Sequence, residues 1–142
     1  MRLIGVDIGT TSICGVCTDM TDGSIIRSIT LKNDSFIRVG NDFERIQDVD
    51  KIMKSVWTIL DELDAENASA IGFSGQMHGI LYIDAQGNAV SPLFTWQDAR
   101  ANLEYKNGKS YADYLGAPAG YGLATDFYNE VNGLIPETAE YL

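Results

Sequence analysis

Residues 3–8 (LIGVDI) form a short apolar run broken only by Gly5 and Asp7, and the run stops at Gly9-Thr10-Thr11. Its length and β-branched content predict a buried strand that ends in a tight turn. Two further strand-like runs follow, 12–18 and 24–31, separated by Asp19-Met20-Thr21-Asp22-Gly23. The Asp-Gly pair in that spacer is a strong hairpin signal, so three antiparallel strands are expected to open the fold.

From Asp48 onward the pattern changes. Val49, Ile52, Met53, Val56, Ile59, Leu60 and Leu63 recur at the spacings that line one face of a helix. Asp48 is placed to cap it, and Asp50 suits the positive end of its dipole. Asp61, Glu62, Asp64 and Glu66 crowd the opposite end, where the dipole disfavours them, and read as a solvated face. Residues 70–74 (AIGFS) are expected to form a central strand fed by that helix, and Gly75-Gln76-Met77-His78-Gly79 is the turn that leaves it. Residues 80–84 and 89–90 read as a hairpin around Ala85-Gln86-Gly87-Asn88. Past Pro92, a short run to Trp96 precedes helical segments expected near 98–106, 110–115 and 123–131. Gly116, Pro118, Gly120 and Gly122 mark a loop between the last two, and Pro136-Glu137 reads as the first turn of another element. The alternation of strands and helices makes this an α/β chain.

With 142 residues the chain is expected to form one domain, and 10 Lys+Arg against 20 Asp+Glu give it a net charge of −10. A protein that grips nucleic acid needs a basic face to displace counterions, so DNA and RNA are not expected partners. A small phosphorylated ligand stays open, because backbone N–H groups in a glycine turn hold phosphate whatever the net charge. No stretch has the roughly 18–20 apolar residues of a membrane span, so no membrane partner is expected. Asp7 cuts the N-terminal apolar run too early for a signal peptide. With no export signal, the two cysteines are expected to be free thiols in a reducing cytoplasm. Cys14 and Cys17 have CxxC spacing, but in a strand residues three apart point to opposite faces, which argues against a redox or zinc site.

Three constellations can carry chemistry. Asp7-Ile8-Gly9-Thr10-Thr11-Ser12 places a carboxylate at a strand end before a glycine turn and three hydroxyls. Gly9 allows close backbone approach to a phosphate, N–H and hydroxyl groups can donate to it, and Asp7 can hold Mg²⁺ through water. An ordinary turn capped by its Asp is the plain alternative. Ser74-Gly75-Gln76-Met77-His78-Gly79 leaves a strand where open α/β sheets place ligands. Gln76 and His78 offer donors and acceptors suited to sugar hydroxyls, and Met77 offers an apolar wall. His78 is the sole histidine, which excludes a histidine-rich metal site, though a lone histidine is often structural. In Trp96-Gln97-Asp98-Ala99-Arg100, Asp98 can accept hydrogen bonds from a polyol, Arg100 can orient Asp98 or touch substrate, and Trp96 can stack on a sugar. Equally, Asp98 can be a helix cap, Arg100 its partner and Trp96 core. Tyr105, Tyr111, Tyr114, Tyr121, Phe127 and Tyr128 read as core and loop packing.

Taken in order, the three constellations resemble the FGGY carbohydrate kinase family. That resemblance implies the ribonuclease H-like fold of the actin, hexokinase and Hsp70 superfamily: a mixed sheet whose first three strands are antiparallel, flanked by helices. Asp7 to Ser12 is similar to the family's first phosphate-binding motif. Gly75 to Gly79 resembles the more specific ketose-binding signature of xylulokinases and sedoheptulokinases. Trp96-Gln97-Asp98-Ala99-Arg100 resembles the Trp-x-Asp-x-Arg segment that follows, with Ala99 where the family often has glycine. Glycerol kinases carry arginine and glutamate in place of the Gln76 to His78 stretch, which makes glycerol a poor candidate. Thr95 to Arg100 and Gly120 to Thr125 lean towards sedoheptulokinase-like members.

The implied reaction is transfer of the ATP γ-phosphoryl group to a hydroxyl of a xylulose- or sedoheptulose-like ketose. By the same resemblance Asp7 organises Mg²⁺, and Gly9, Thr10 and Thr11 join it in facing the ATP phosphates. Gln76, Met77, His78, Trp96, Asp98 and Arg100 form or support the sugar pocket, and catalysis comes mostly from positioning and charge neutralisation. The family's general-base Asp is expected beyond Leu142, and its adenosine pocket and second phosphate motif lie in a second lobe. Residues 1–142 therefore read as the N-terminal portion of the first, substrate lobe, with the second lobe absent and little or no turnover alone. The rival reading is a non-catalytic sugar- or nucleotide-binding module of the actin-like superfamily.

Overall fold

In chain order the elements are β1 (Arg2–Ile8), β2 (Ser12–Asp19), β3 (Ile25–Lys32), β4 (Ile46–Gln47), α1 (Val49–Glu62), β5 (Ala70–Gly75), β6 (Leu93–Phe94), β7 (Glu104–Lys106), β8 (Lys109–Ser110), α2 (Tyr111–Leu115) and α3 (Gly122–Val131). The computed structural model describes residues 1–38 and 40–140. The single domain expected from length divides into two compact units, Met1–Ser35 with Asp50–Gln76 and Phe36–Val49 with Met77–Leu142.

In the first unit a four-stranded sheet runs in the order β3-β2-β1-β5. Strands β1, β2 and β3 pair antiparallel as their alternation predicts, and the Asp22-Gly23 turn joins the last two with Gly23 at φ 73°. Strand β5 pairs parallel to β1, with Asp7 opposite Ser74. Its position differs from the central one expected. Among the described residues no strand pairs with its outer side, so β5 is an edge strand and all six of its residues are exposed.

Ile4 and Val6 of β1 share one sheet face with Ile13, Gly15 and Cys17 of β2, and all but the glycine are counted among the buried apolar side chains. Helix α1 buries Ile52, Val56, Ile59 and Leu60, the stripe expected from their spacing. It comes so close to β2 that a Cβ built at Gly15 falls 2.2 Å from Cγ2 of Ile59 and 2.9 Å from Cδ1 of Leu63. The acidic end of α1 is solvated as expected, with Asp61, Glu62, Asp64 and Glu66 all exposed. Arg27 pairs with Glu62 at 2.6 Å and Arg2 with Asp64 at 3.1 Å, exposed contacts worth about 0–1 kcal/mol each. Cys14 and Cys17 lie on opposite faces of β2 as free thiols, the second buried.

The second unit is irregular. Strand β4 pairs with β6, and single bridges from Phe36 to Gln47 and from Ile80 to Phe94 extend that ladder around Ile46, Tyr82 and Phe94. The expected hairpin over 80–90 survives as a bridge between Ile83 and Ala89. Asp84 closes its turn, and the Asn88 side chain and backbone hold that carboxyl below its ordinary pKa. The helix expected near 98–106 is absent. A short 3-10 turn, Arg100–Asn102, leads instead into the β7-β8 hairpin. Asn107-Gly108 explains this: both residues take positive φ, the geometry a two-residue hairpin turn requires. Ser110 caps α2 in a reciprocal capping box with Asp113, and Gly116 ends it at φ 70°. Tyr105, Tyr111, Tyr114, Phe127 and Tyr128 form the expected aromatic cluster.

A buried polar chain joins segments of this unit that its two-stranded ladders, the only sheets among its described residues, leave apart. Asp98, 1% exposed, accepts from Arg100 through Nε at 2.7 Å and Nη2 at 3.1 Å, and from the backbone N–H groups of Arg45 and Arg100. Arg100 also donates to Asn129 at 2.8 Å and lies over the Phe94 ring at 4.3 Å. Asn129 in turn donates to the Tyr82 hydroxyl, which donates to Asp126.

Two stability outcomes follow from these contacts. Gly15→Ala is expected to lower the unfolding free energy by about 1–3 kcal/mol, because the new methyl overpacks the seat of α1. Gly5→Ala is the control: its Cβ meets only Cγ1 of Val16 at 3.5 Å and should cost clearly less in the same urea titration. Arg100→Met strands a buried carboxylate and is expected to cost about 3–5 kcal/mol in chemical denaturation. A smaller loss than that of an exposed ion pair would contradict the structural weight given to Asp98 and Arg100.

Candidate functional site

The parallel pairing of β1 and β5 sets the carboxyl ends of two strands side by side, and the first unit gathers its expected site residues there. Asp7, exposed at the end of β1, accepts a hydrogen bond from Oγ of Ser74 at 2.5 Å. Thr10 Oγ1 donates to Gln76 Oε1 at 2.9 Å, and the Gln76 N–H donates to the Ile8 carbonyl at 2.9 Å. The first constellation and the start of the second are thus brought together. The turn admits only glycine at position 9, where a Cβ would lie 2.8 Å from the Ser12 carbonyl oxygen. Its N–H closes the turn onto that same oxygen at 2.9 Å, and Thr11 is exposed at the tip.

Asn33 is a site residue that motif reading passed over. Only 5% exposed, it donates from Nδ2 to the Gly9 carbonyl and from its backbone N–H to the Thr11 carbonyl, each at 2.9 Å. Ser35 fixes the Asn33 side chain by donating its hydroxyl to Oδ1 at 2.5 Å. A signal for this brace exists in the sequence, since Asn-Asp-Ser after a strand is turn chemistry, but it says nothing of the partner.

Met77, His78, Trp96, Asp98 and Arg100 belong to the second unit. Met77 is 70% exposed and Trp96 48%, so Trp96 is not core. His78 is exposed on a left-handed backbone, φ 66°, and its ring stacks on Tyr121 with centroids 4.1 Å apart and planes 8° from parallel. Tyr121 therefore leaves the aromatic cluster in which the sequence placed it. Close backbone packing shapes this region: a Cβ at Gly79 would fall 2.9 Å from the Phe94 carbonyl oxygen, and one at Gly120 2.0 Å from that of Trp96.

Asp98 and Arg100 differ from their neighbours in being buried. Two donors reach each oxygen of Asp98, which uses the four acceptor positions a carboxylate has. In this arrangement the pair frames the segment that carries Trp96 rather than offering free acceptors. Thr95 completes the frame by donating its hydroxyl to the Arg45 carbonyl at 2.8 Å.

Asp7 is the one expected metal-binding residue. Among the described residues no group of three or more His, Cys, Asp or Glu side chains is placed to hold an ion. That donor set fits Mg²⁺, which binds through one or two carboxylates and keeps the rest of its shell as water and phosphate oxygens. Among the described residues no helix is long and apolar enough to cross a membrane.

The model of the FGGY family of carbohydrate kinases, N-terminal domain, matches residues 2–124. Sedoheptulokinase from Mus musculus is 30% identical over 98% of this chain, which covers 34% of the mouse protein. Xylulose kinase from Staphylococcus xylosus is 28% identical over 75% of the chain and 22% of its own length. The chain thus spans about a third or less of these relatives. A solved structure described as a "xyloylose kinase" from Brucella ovis superposes with a TM-score of 0.76 at 21% identity, over 94% of this chain and 30% of that one. The mixed sheet, with its antiparallel start and parallel β5, is that of the actin- and hexokinase-like sugar kinases, and the chain belongs to the FGGY family of carbohydrate kinases.

Proposed function

We propose that this chain is the N-terminal part of the substrate lobe of a kinase that transfers the γ-phosphoryl group of ATP to a hydroxyl of a xylulose- or sedoheptulose-like ketose. The observation that carries the reading is the meeting of Asp7, the Gly9 turn and Gln76 at the carboxyl ends of β1 and β5. A glycine-tight turn, an exposed carboxylate and hydroxyls at that place suit a phosphate ester and its counter-cation. Gly9, Thr10 and Thr11 face the phosphates, and Asp7 holds Mg²⁺ through water. The ion supplies charge neutralisation when bound; the chain's own part is to fix the turn through Asn33 and Gln76.

The sugar is met by Gln76, Met77, His78 and Trp96. The first and third give hydrogen bonds to hydroxyls; the other two give apolar contact with the carbon skeleton. Asp98 and Arg100 support the pocket by holding the Trp96 segment. The general base, the adenosine pocket and the second phosphate motif come from the rest of the kinase, which is the chain's principal partner. Half-buried Cys14 and buried Cys17, free thiols on opposite faces of β2, suit a reducing cytoplasm.

The test uses the kinase that carries this chain, assayed for ADP release with D-xylulose, sedoheptulose, glycerol and gluconate. Turnover is expected with one of the two ketoses, and His78→Ala should lower kcat/KM for it by about tenfold or more, the worth of a lost polar contact. Turnover with glycerol or gluconate alone would overturn the ketose assignment, and ketose binding without transfer would favour a non-catalytic module. The 142-residue chain by itself is expected to give no turnover; His78-dependent transfer by the purified chain would refute that.

A further inference from the structure

Tyr121 stands out among the aromatics of the second unit, because its ring contact is with a residue of the proposed sugar pocket rather than with the core cluster. Its backbone is held on both sides. Tyr121 donates its N–H to the Pro118 carbonyl at 3.0 Å, and as the residue that opens α3 it accepts from the N–H groups of Ala124 and Thr125. Ala124 and Thr125 are buried at 0% and 2% exposure, so the start of this helix is anchored. The flanking glycines make the placement possible. A side chain at Gly120 would strike the Trp96 carbonyl, and one at Gly122 would come within 2.3 Å of Cγ2 of Ile80 and 3.4 Å of the His78 carbonyl oxygen. Gly120-Tyr121-Gly122 is thus a clasp that presses the phenol ring against the His78 turn.

His78 needs such a support. It is an exposed residue in a left-handed conformation that side chains with a Cβ adopt at a cost, and strain of this kind gathers at functional positions. A solvent-facing imidazole with no packing partner exchanges among rotamers and must be ordered each time it meets a ligand. A parallel ring at 4.1 Å removes that freedom beforehand.

We propose that Tyr121 is a positioning residue for the sugar site: its ring holds the His78 imidazole, by face-to-face stacking, in the orientation that meets the ketose. This rests on the reading of His78 as a ketose-binding residue. The contribution is made by the ring face and not by the phenol oxygen.

His78 is the sole histidine, so its imidazole C–H protons give one assignable pair of NMR signals in the 142-residue chain. Cross-relaxation between them and the Tyr121 ring protons is expected, with the His78 signals displaced upfield by the ring current. Tyr121→Phe should keep the displacement and Tyr121→Leu should abolish it. In the kinase that carries this chain, Tyr121→Leu should raise KM for the ketose by about 2- to 10-fold while kcat changes little, the pattern of a lost ground-state contact. Tyr121→Phe should restore the wild-type KM. A merely structural role would lower the amount of active enzyme with KM unmoved. Absence of the cross-relaxation in the wild-type chain overturns the stack, whether or not the leucine variant folds. An unchanged KM in a kinase that does phosphorylate a ketose overturns the positioning role alone. No ketose-dependent turnover in the wild type overturns the substrate reading, and the role claimed for Tyr121 with it, while the NMR signature of the stack persists.

Discussion

The parallel pairing of β5 with β1 is the constraint on which the first unit depends. Antiparallel strands close locally, as β1, β2 and β3 do, but a parallel neighbour requires the chain to leave the sheet and return in the same direction. Helix α1 lies on that return path, and its seat on β2 is set by the missing side chain at Gly15. A bulkier residue there would lift Ile59 and Leu63 and disturb the path that delivers β5. The register that results puts Ser74 opposite Asp7 and Gln76 beside the Gly9 turn. A packing requirement in the middle of the sheet is thereby tied to hydrogen bonds at its carboxyl end.

The second unit reaches definition by other means. Its ladder pairs are two residues long, too few to order a sheet alone, and its apolar clusters are small. The buried chain from Asp126 through Tyr82, Asn129 and Arg100 to Asp98 links the start of α3 to the Arg45 and Trp96 segments within this unit. Burying a charged pair stabilises little relative to apolar packing, but breaking one is costly, and that asymmetry favours a single arrangement of the segments it joins. The arrangement leaves Met77 and Trp96 exposed on backbone that is itself tightly held. Preorganised backbone with accessible side chains is what recognition of a small polar molecule requires.

How much of this was legible in the sequence varied with the range of the interaction. Strands β1 to β3 and helix α1 announce themselves through local periodicity and the Asp22-Gly23 turn, and the structure has them within a residue or two. The edge position of β5 was not legible, because AIGFS is equally apolar at a centre and at an edge; its pairing partners decide. The helix expected near 98–106 stops just short of Asn107-Gly108, whose hairpin chemistry pulls the residues before it into a strand instead. Asn33 and Asn129 left no periodic trace, since a single buried amide has meaning only through partners 24 and 29 residues away. Tyr121 was misassigned for the same reason: six aromatics in one stretch read as one cluster, and only the fold shows that one of them faces His78.

The acidity of the chain bears on how the proposed phosphate donor would be held. With a net charge of −10, phosphates would meet repulsion unless local groups offset it, and no side chain among Asp7, Gly9, Thr10, Thr11 and Gln76 is cationic. Arg100, the one cation in the three constellations, is buried against Asp98 and already neutralised. What the proposed site itself offers an anion is therefore backbone N–H groups and hydroxyls, to which a divalent cation held by Asp7 would add its charge. Such a site depends on geometry more than on net charge: N–H dipoles act only when the turn that aims them is fixed. This gives Asn33 its importance. By holding the carbonyls of Gly9 and Thr11 from below, it keeps the peptide planes of the turn from rotating, a task that no long, flexible lysine could perform.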